Sequence, residues 1–245
     1  YMLAQNGYRP ILLERGKDVE ARKKDVEAFW NGGPLNPESN VSFGEGGAGT
    51  FSDGKLNTLI KDKDGRGRHV LSIFVENGAQ PEILYEAKPH IGTDILKKVV
   101  TNMRQEIIRN GGEVHFGSKV TGIETQNKKI TGVIANNSER IETDQVVLAI
   151  GHSARDTFYM LHERELSMNP KAFAIGVRVE HLAHLINESQ YGEGYPEEVP
   201  TASYKLTHQC KGTGRGIYSF CMCPGGYVVN SSSEKGRLCV NGMSY

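Results

Sequence analysis

Residues 41–56 read Val41-Ser42-Phe43-Gly44-Glu45-Gly46-Gly47-Ala48-Gly49-Thr50-Phe51-Ser52-Asp53-Gly54-Lys55-Leu56. Glycines at 44, 46, 47, 49 and 54 leave much of this backbone without a Cβ. Such backbone takes positive φ at little steric cost and lets a ligand come close to its N–H groups. Glycine also loses the most entropy on ordering, so a glycine cluster is a poor core element. Oriented amides around an anionic group are the first candidate use. A glycine-rich surface loop is the plain alternative.

Two motifs compete inside the stretch. Gly44-Glu45-Gly46-Gly47-Ala48-Gly49 matches G-x-G-x-x-G letter for letter. That motif needs a hydrophobic strand before it and a helix after it, whose N-terminus holds the pyrophosphate. Pro34-Leu35-Asn36-Pro37-Glu38-Ser39-Asn40 before it reads as loop, and Thr50-Phe51-Ser52-Asp53-Gly54 after it starts no helix. Gly49-Thr50-Phe51-Ser52-Asp53-Gly54-Lys55-Leu56 nearly matches the P-loop, but Leu56 has no hydroxyl for Mg²⁺ and Asp53 sets a carboxylate beside the phosphates. The context speaks against both literal readings.

Upstream, Tyr1-Met2-Leu3-Ala4-Gln5-Asn6-Gly7 reads as the last turns of a helix closed by a C′ glycine. Arg9-Pro10-Ile11-Leu12-Leu13 follows as a short buried strand ending at Glu14-Arg15-Gly16. Helix end, glycine, apolar strand and terminal acid make the second half of a βαβ dinucleotide unit. In that unit an acid about 20 residues after the first glycine turn binds the ribose hydroxyls. The count places that first turn upstream of Tyr1, and both ends read as cut ends of a longer chain. Taken alone, Glu14 reads equally well as an exposed carboxylate at a strand end.

Downstream, residues 17–30 are charged and helical in pattern, and residues 57–80 are polar and irregular. Lys61-Asp62-Lys63-Asp64-Gly65-Arg66-Gly67-Arg68 reads as a solvated stretch. Residues 94–110 carry the strongest helical stripe, with Thr93 or Asp94 as cap and Gly111 as stop. Strands are expected at 113–116, 120–125 and 130–135, the last two joined tightly through Asn127-Lys128-Lys129. The apolar run 145–150 reads as a central parallel strand buried on both faces. It ends at Gly151-His152-Ser153, before a helix at 154–162. Beyond Pro170, strands are expected at 172–179, 216–222, 226–230 and 237–241, forming a mostly antiparallel layer.

The 245 residues are enough for one or two domains. Basic and acidic residues balance at 29 each, with no basic stripe, so nucleic acid is not an expected partner. No apolar run approaches the roughly 18 residues of a membrane span. The four cysteines, Cys210, Cys221, Cys223 and Cys239, all lie in the last quarter. That is no secreted disulfide framework, and a reducing cytoplasm is the expected compartment.

These pieces resemble the FAD-binding flavoproteins of the glutathione-reductase type, and more narrowly the bacterial FAD-dependent dehydrogenases, or NAD(P)/FAD-dependent oxidoreductases. The segments that carry the resemblance are Ile11-Leu12-Leu13-Glu14-Arg15-Gly16, the run from Gly46 to Leu56, Pro89-His90-Ile91-Gly92-Thr93-Asp94, Val147-Leu148-Ala149-Ile150-Gly151-His152-Ser153-Ala154-Arg155, and Tyr218-Ser219-Phe220-Cys221-Met222-Cys223-Pro224-Gly225-Gly226. The resemblance implies an α/β fold. An incomplete three-layer, Rossmann-like FAD/NAD(P)-binding domain would cover 1–168, and part of a mostly β substrate domain would cover 169–245. It implies FAD as cofactor, NAD(P)H as a candidate electron donor, and electron or hydride transfer between flavin and a small-molecule substrate. Glu14, with Arg15 beside it, would hold the adenosine ribose. Gly44, Gly46, Gly47, Gly49, Thr50, Asp53, Gly54, Lys55 and Leu56 would wrap the pyrophosphate and approach the flavin. Val120 would meet the adenine through its backbone, and Ala149, Ile150, Gly151 and His152 would form a second FAD contact. The family's own first strand and G-x-G-x-x-G have no counterpart here, so the chain by itself is expected to hold FAD weakly and to be inactive. A reading of another class is a binding protein on a flavoprotein scaffold, non-catalytic or associated with RNA modification.

Lys55, His90, Cys221 and Cys223 are the candidates for chemistry. Lys55 is a cation for the pyrophosphate or flavin N1, or a solvated loop lysine. His90 is attractive as a proton donor because its pKa lies near neutrality. Cys221 and Cys223 share one strand face and read as a redox pair, as part of a metal set with His208 and Cys210, or as packed thiols.

Overall fold

The computed structural model describes residues 1–52, 54–56, 61–220 and 222–243. Helix α1 (Met2–Gln5) ends at Asn6, and Gly7 turns the chain at φ +82°. Strand β1 (Ile11–Glu14) then pairs in parallel with β2 (Glu113–Phe116), setting Glu14 opposite Phe116. The connection between these two strands carries most of the candidate site.

Helix α2 (Val19–Trp30) begins where Asp18 accepts from the amides of Glu20 and Ala21, an N-cap of the expected kind. Helix α3 (Arg66–Glu76) lies in a stretch whose charges and glycines read as irregular. That reading is corrected from residue 66 on. Residues 61–70 are solvent-exposed, but Leu71, Phe74 and Val75 recur at helical spacing and pack on the next helix. Helix α4 (Thr93–Arg109) presents Leu96 and Val99 to a cluster shared with Ala79, Ile83 and Ile91. Its N-cap is Gly92 with no side-chain cap bond, so neither Thr93 nor Asp94 caps it.

Strands β3 (Val120–Gln126), β4 (Lys129–Ala135) and β5 (Glu139–Glu142) form an antiparallel meander. The two-residue connection Asn127-Lys128, and Asn136-Asn137 in the three-residue connection 136–138, take φ between +50° and +63°. Paired left-handed residues are the tight-hairpin signature, and asparagine tolerates that region best after glycine. Helix α5 (Arg155–Glu163) buries Leu161 against Ile123 and Val133 of this sheet.

The apolar run 145–150 is not a strand, which corrects the central-strand reading. Val147 is 80% exposed, and no strand among the described residues offers it a ladder of hydrogen bonds. A parallel strand needs a partner on its edge and layers on its faces; a two-stranded β1–β2 sheet supplies neither here. Residues 172–179 are corrected for the same reason. Phe173, Ile175 and Val177 alternate as in a strand yet are 83%, 89% and 90% exposed.

Helix α6 (Ala183–Tyr191) follows. Strand β6 (Thr207–Gln209) pairs with β7 (Gly216–Tyr218), and β8 (Tyr227–Asn230) with β9 (Val240–Met243). Arg237 to Cys239 lie outside β9, a further small correction. The described residues are thus mixed α/β with small separate sheets, not an assembled three-layer sandwich. Trp30 Nε1 donates to the Asn230 carbonyl at 2.8 Å, which ties α2 to β8. No helix among the described residues is long and apolar enough to cross a membrane.

Candidate functional site

Glu14 ends β1, and one oxygen of its carboxylate, Oε1, accepts from the amides of Gly16 at 2.8 Å and Gly44 at 3.0 Å. The acid expected to face a ribose therefore also fastens the glycine segment to the end of the strand. A Cβ on Gly16 would lie 2.5 Å from Gly44 Cα, so the two backbones touch.

The segment is held from beneath by Arg22 of α2, whose side chain is fully buried. Nε donates to the Asn40 carbonyl at 2.8 Å. Nη1 donates to the carbonyls of Gly44 and Glu45 at 3.3 and 2.6 Å. Nη2 donates to those of Val41 and Gly47 at 2.8 Å each. A guanidinium has five N–H donors, and all five are used on main-chain carbonyls. Its plane also lies over the Phe51 ring, 4.8 Å from the centroid. Burial pushes the Arg22 guanidinium down to about 10, against the nearby charges of Glu14 and Glu45, so it remains protonated at neutral pH.

This clamp orients the peptide units. In a trans peptide the carbonyl of one residue and the N–H of the next point in opposite directions. With the Glu45 and Gly47 carbonyls drawn inward to Arg22, the amides of Gly46 and Ala48 are directed away from it. Gly46 and Ala48 are exposed, and their amides have no acceptor among the described residues. Two outward amides over a buried cation are an arrangement suited to an anion. Gly47 and Gly49 leave open space where a Cβ would stand. Gly44 differs: its Cβ would meet Arg22 Cδ at 2.4 Å, so glycine there serves the clamp rather than a ligand.

Glu45 is engaged by the neighbouring helices. It accepts from the Val19 amide at 2.9 Å and pairs with Arg104 of α4 at 2.9 Å. Burial raises its carboxyl above the ordinary value, against the Val19 and Arg104 contacts that lower it. Thr50 is buried, with its Oγ1 lacking a hydrogen-bond partner.

The end of the segment runs beside residues 89–91. Leu56 donates to the Pro89 carbonyl and Ile91 to the Gly54 carbonyl, each at 3.0 Å, and Lys55 bridges His90. A Cβ on Gly54 would lie 2.0 Å from the Ile91 oxygen. Lys55 Nζ donates to the Met222 carbonyl and lies 3.9 Å from Cys223 Sγ. The structure therefore brings Lys55, His90 and Cys223 to one place. Asp53 and Cys221 lie outside the described residues. No group of three or more His, Cys, Asp or Glu placed to hold a metal occurs among the described residues.

Arg15 points to a cleft of about 570 Å³ lined by Lys17, Asn36, Ser39, Gly117 and Asn136, among others. Arg15 pairs with Glu38 at 3.3 Å and Asp156 at 2.5 Å, and Lys119 pairs with the same two at 3.1 and 2.6 Å. Burial pulls the Asp156 carboxyl up, but hydrogen bonds from Arg15 and Lys119 outweigh it and hold the group well below the usual carboxylate range. Ser39 is buried in this wall, and its Oγ has no hydrogen-bond partner. Val120 begins β3 and packs on Ile123 and Leu161. Ala149, Ile150, Gly151 and His152 lie outside any helix or strand; Gly151 takes φ +67° with open space at its Cβ position, and His152 Nδ1 sits 2.7 Å from Ser153 Oγ. No hydrogen bond among the described residues ties them to the glycine segment.

Arg22, Asn40, Glu45 and Arg104 are not singled out as site residues in the sequence reading. A signal for Arg22 exists: it falls three residues after Val19 and four before Val26, on the buried face of α2. A charged residue on an apolar stripe demands buried partners.

Comparison with known proteins adds three findings. Residues 67–176 match the family model described as pyridine nucleotide-disulphide oxidoreductase. Residues 172–245 match that described as FAD-dependent protein, C-terminal domain-like. The chain is 54% identical over 244 residues to an uncharacterized protein of Clostridium beijerinckii, an alignment covering 99% of this chain and 45% of that protein. The chain thus spans under half the length of the relative it matches. The two matches support an FAD-dependent oxidoreductase family, and the first supports a Rossmann-like nucleotide-binding fold.

Proposed function

We propose that this chain is the FAD-binding part of a flavin-dependent oxidoreductase and that the outward amides of Gly46 and Ala48 face the FAD pyrophosphate. The observation that carries the reading is the Arg22 clamp, which draws main-chain carbonyls inward and leaves the amides of Gly46 and Ala48 outward, beside the open space at Gly47 and Gly49. The oxidoreductase and FAD-dependent descriptions of the matching families favour it over a non-catalytic binding protein.

In this reading Gly47 and Gly49 leave room for the diphosphate, and Thr50 Oγ1, buried without a partner, is the hydroxyl such a ligand would satisfy. Glu14 keeps one oxygen on Gly16 and Gly44 and offers the other to the ribose. The cleft beside Arg15, with the unpartnered Ser39 Oγ in its wall, takes the adenosine end, with Val120 at its edge. Ala149, Ile150, Gly151 and His152 close on the dinucleotide from the other side. Bound FAD supplies the electron or hydride transfer. Lys55 and His90 stand at the far end of the segment, where a cation and a titratable imidazole would face substrate. A nicotinamide nucleotide is the proposed donor, and the compartment is the reducing cytoplasm. The domain division remains 1–168 for FAD and 169–245 for substrate.

The test is titration of the chain with FAD, followed by flavin fluorescence, with ADP and inorganic pyrophosphate as competitors. Saturable quenching relieved by both competitors is expected. Absence of saturable binding at FAD up to about 1 mM, a mere 4 kcal/mol of affinity, overturns the proposal. Mixing the FAD-loaded full-length protein with NADH or NADPH then reads the donor by bleaching of the flavin band.

A further inference from the structure

We infer that the Asn241-Gly242 step of β9 is a self-modification site, converted to aspartate or isoaspartate through a succinimide, with Arg178 stabilising the charge that forms as the ring closes. The site stands whether or not the FAD reading holds.

Asn-Gly occurs five times in the chain, at 6–7, 31–32, 77–78, 110–111 and 241–242. Ring closure needs the glycine nitrogen to reach the asparagine Cγ, and a glycine leaves that nitrogen uncrowded by a Cβ. Four of the five steps close helices. Asn6, Asn31, Asn77 and Asn110 are the C-cap residues of α1, α2, α3 and α4. In each, Nδ2 donates to the carbonyl four residues back, that of Met2, Glu27, Ile73 or Glu106, at 2.8 to 2.9 Å. The glycine that follows takes positive φ and donates its amide to the carbonyl of Ala4, Phe29, Val75 or Ile108, at 2.9 to 3.1 Å. Electrophile and nucleophile are thus each tied to a different helix carbonyl.

The fifth step is built the other way. Ser231 donates to the Cys239 carbonyl at 2.9 Å, and the register runs on through Val229 opposite Asn241 and Val228 opposite Gly242. Hydrogen-bonded and non-hydrogen-bonded pairs alternate along an antiparallel ladder, so the Gly242 amide faces away from β8. It donates instead to Asn241 Oδ1 at 2.9 Å. The nitrogen and the side-chain carbonyl it must attack are already in contact, a near-attack arrangement. Arg178 Nη2 donates to the same oxygen at 3.3 Å, and a guanidinium has further N–H groups for other partners. A Cβ on Gly242 would lie 2.5 Å from Cys223 Sγ, so glycine is required at this position. Asn241 itself is half-buried, within reach of water.

The chemistry balances without any redox step. Hydroxide takes the Gly242 amide proton, and the nitrogen bonds to Asn241 Cγ. Negative charge gathers on Oδ1, where the Arg178 donor is already placed, and a cation there favours the transition state over the neutral amide. The Cγ–Nδ2 bond breaks; Nδ2 takes a proton from water and leaves as ammonia. Water then opens the ring at either carbonyl. Opening on one side gives aspartate, whose carboxylate turns the neutral contact with Arg178 into a charge-assisted pair. Opening on the other gives isoaspartate, which adds a methylene to the main chain of β9 and disturbs the pairing of Met243 with Tyr227.

The test incubates the whole chain in mildly alkaline heavy-oxygen water, native and in urea, and follows each Asn-Gly peptide by tandem mass spectrometry after acidic digestion. The urea sample gives every step its own unstructured reference rate. Relative to those references, Asn241 in the native chain is expected to convert at least about tenfold faster than any of the four caps. R178M should slow Asn241 about tenfold and leave the caps unchanged, and R178K should restore part of the rate. A smaller margin over the caps, a cap that outpaces Asn241, or a folded R178M that converts at the parent rate overturns the inference. Should R178M not fold, R178Q takes its place under the same criterion.

Discussion

Arg22 shows how one residue sets the character of a loop. Its five donors meet five carbonyls of residues 40, 41, 44, 45 and 47, so none of the buried charge's hydrogen-bonding capacity is wasted. Removing one partner of a buried charged network strands the others, at about 3–5 kcal/mol. R22M should therefore lose about that much stability in urea denaturation, and FAD binding should fail with it because the amides lose their orientation. R22K, with three donors on a flexible stem, should recover only part of either. The glycines divide on the same logic. At Gly54, φ is +68° and a Cβ would strike the Ile91 carbonyl, so G54A should cost about 2–4 kcal/mol. At Gly49, φ is ordinary and the space is open, so G49A should change stability by less than about 0.5 kcal/mol while weakening FAD several-fold. Equal effects of the two alanines on FAD binding and on stability would remove the distinction between glycines packed against the protein and glycines left open to a ligand. The glycine pattern was legible as a site, but not which glycines serve the protein itself. That depends on Arg22, which stands 19 residues before the start of the segment and reads from the sequence as one charge in a charged helix.

At the scale of elements, Arg15, Glu38, Lys119 and Asp156 join the end of β1, the loop before the glycine segment, the start of β3 and the start of α5. Asp156 is held below its ordinary carboxyl value of 3.8, so it contributes stability above that value and loses it as pH falls through the lower folded-state value. D156N should thus be less stable than the parent by about 1 kcal/mol at pH 7, a modest figure because the carboxylate is 44% exposed and solvent screens the pairs. The gap should hold down to about pH 4 and close below it. Urea titrations across that range read it, and a gap that widens in acid contradicts the assigned sign. Elements specified by local rules were readable: β1 between Pro10 and Gly16, α4 from its apolar stripe, the β3–β4 hairpin from Asn127-Lys128. Helix α3 was not, because its exposed first turn, Arg66-Gly67-Arg68, masks the packing residues Leu71, Phe74 and Val75 behind it. Residues 145–150 and 172–179 mislead in the other direction. Their composition is that of strands, but a strand exists only through a partner's backbone, and no partner is present among the described residues.

At the scale of the whole molecule, those same runs leave a surface unlike that of an ordinary monomer. Phe173, Ile175, Val177 and Val179 alternate along the segment, and all are exposed. Leu148, Leu206, Phe220 and Leu238 are exposed as well. Scattered apolar residues on a surface are normal, but an alternating row in no sheet among the described residues offers apolar area to another chain. The expected behaviour of this chain is binding of a hydrophobic dye and concentration-dependent association. I175K places a charge in the middle of the row, where a gatekeeper acts most strongly against edge pairing. It should lower dye fluorescence and shift sedimentation toward monomer while leaving the thermal transition within a few degrees, because Ile175 is 89% exposed and contributes little to packing. A parent chain that stays monomeric and dark to the dye at high concentration would show that the row is covered in solution.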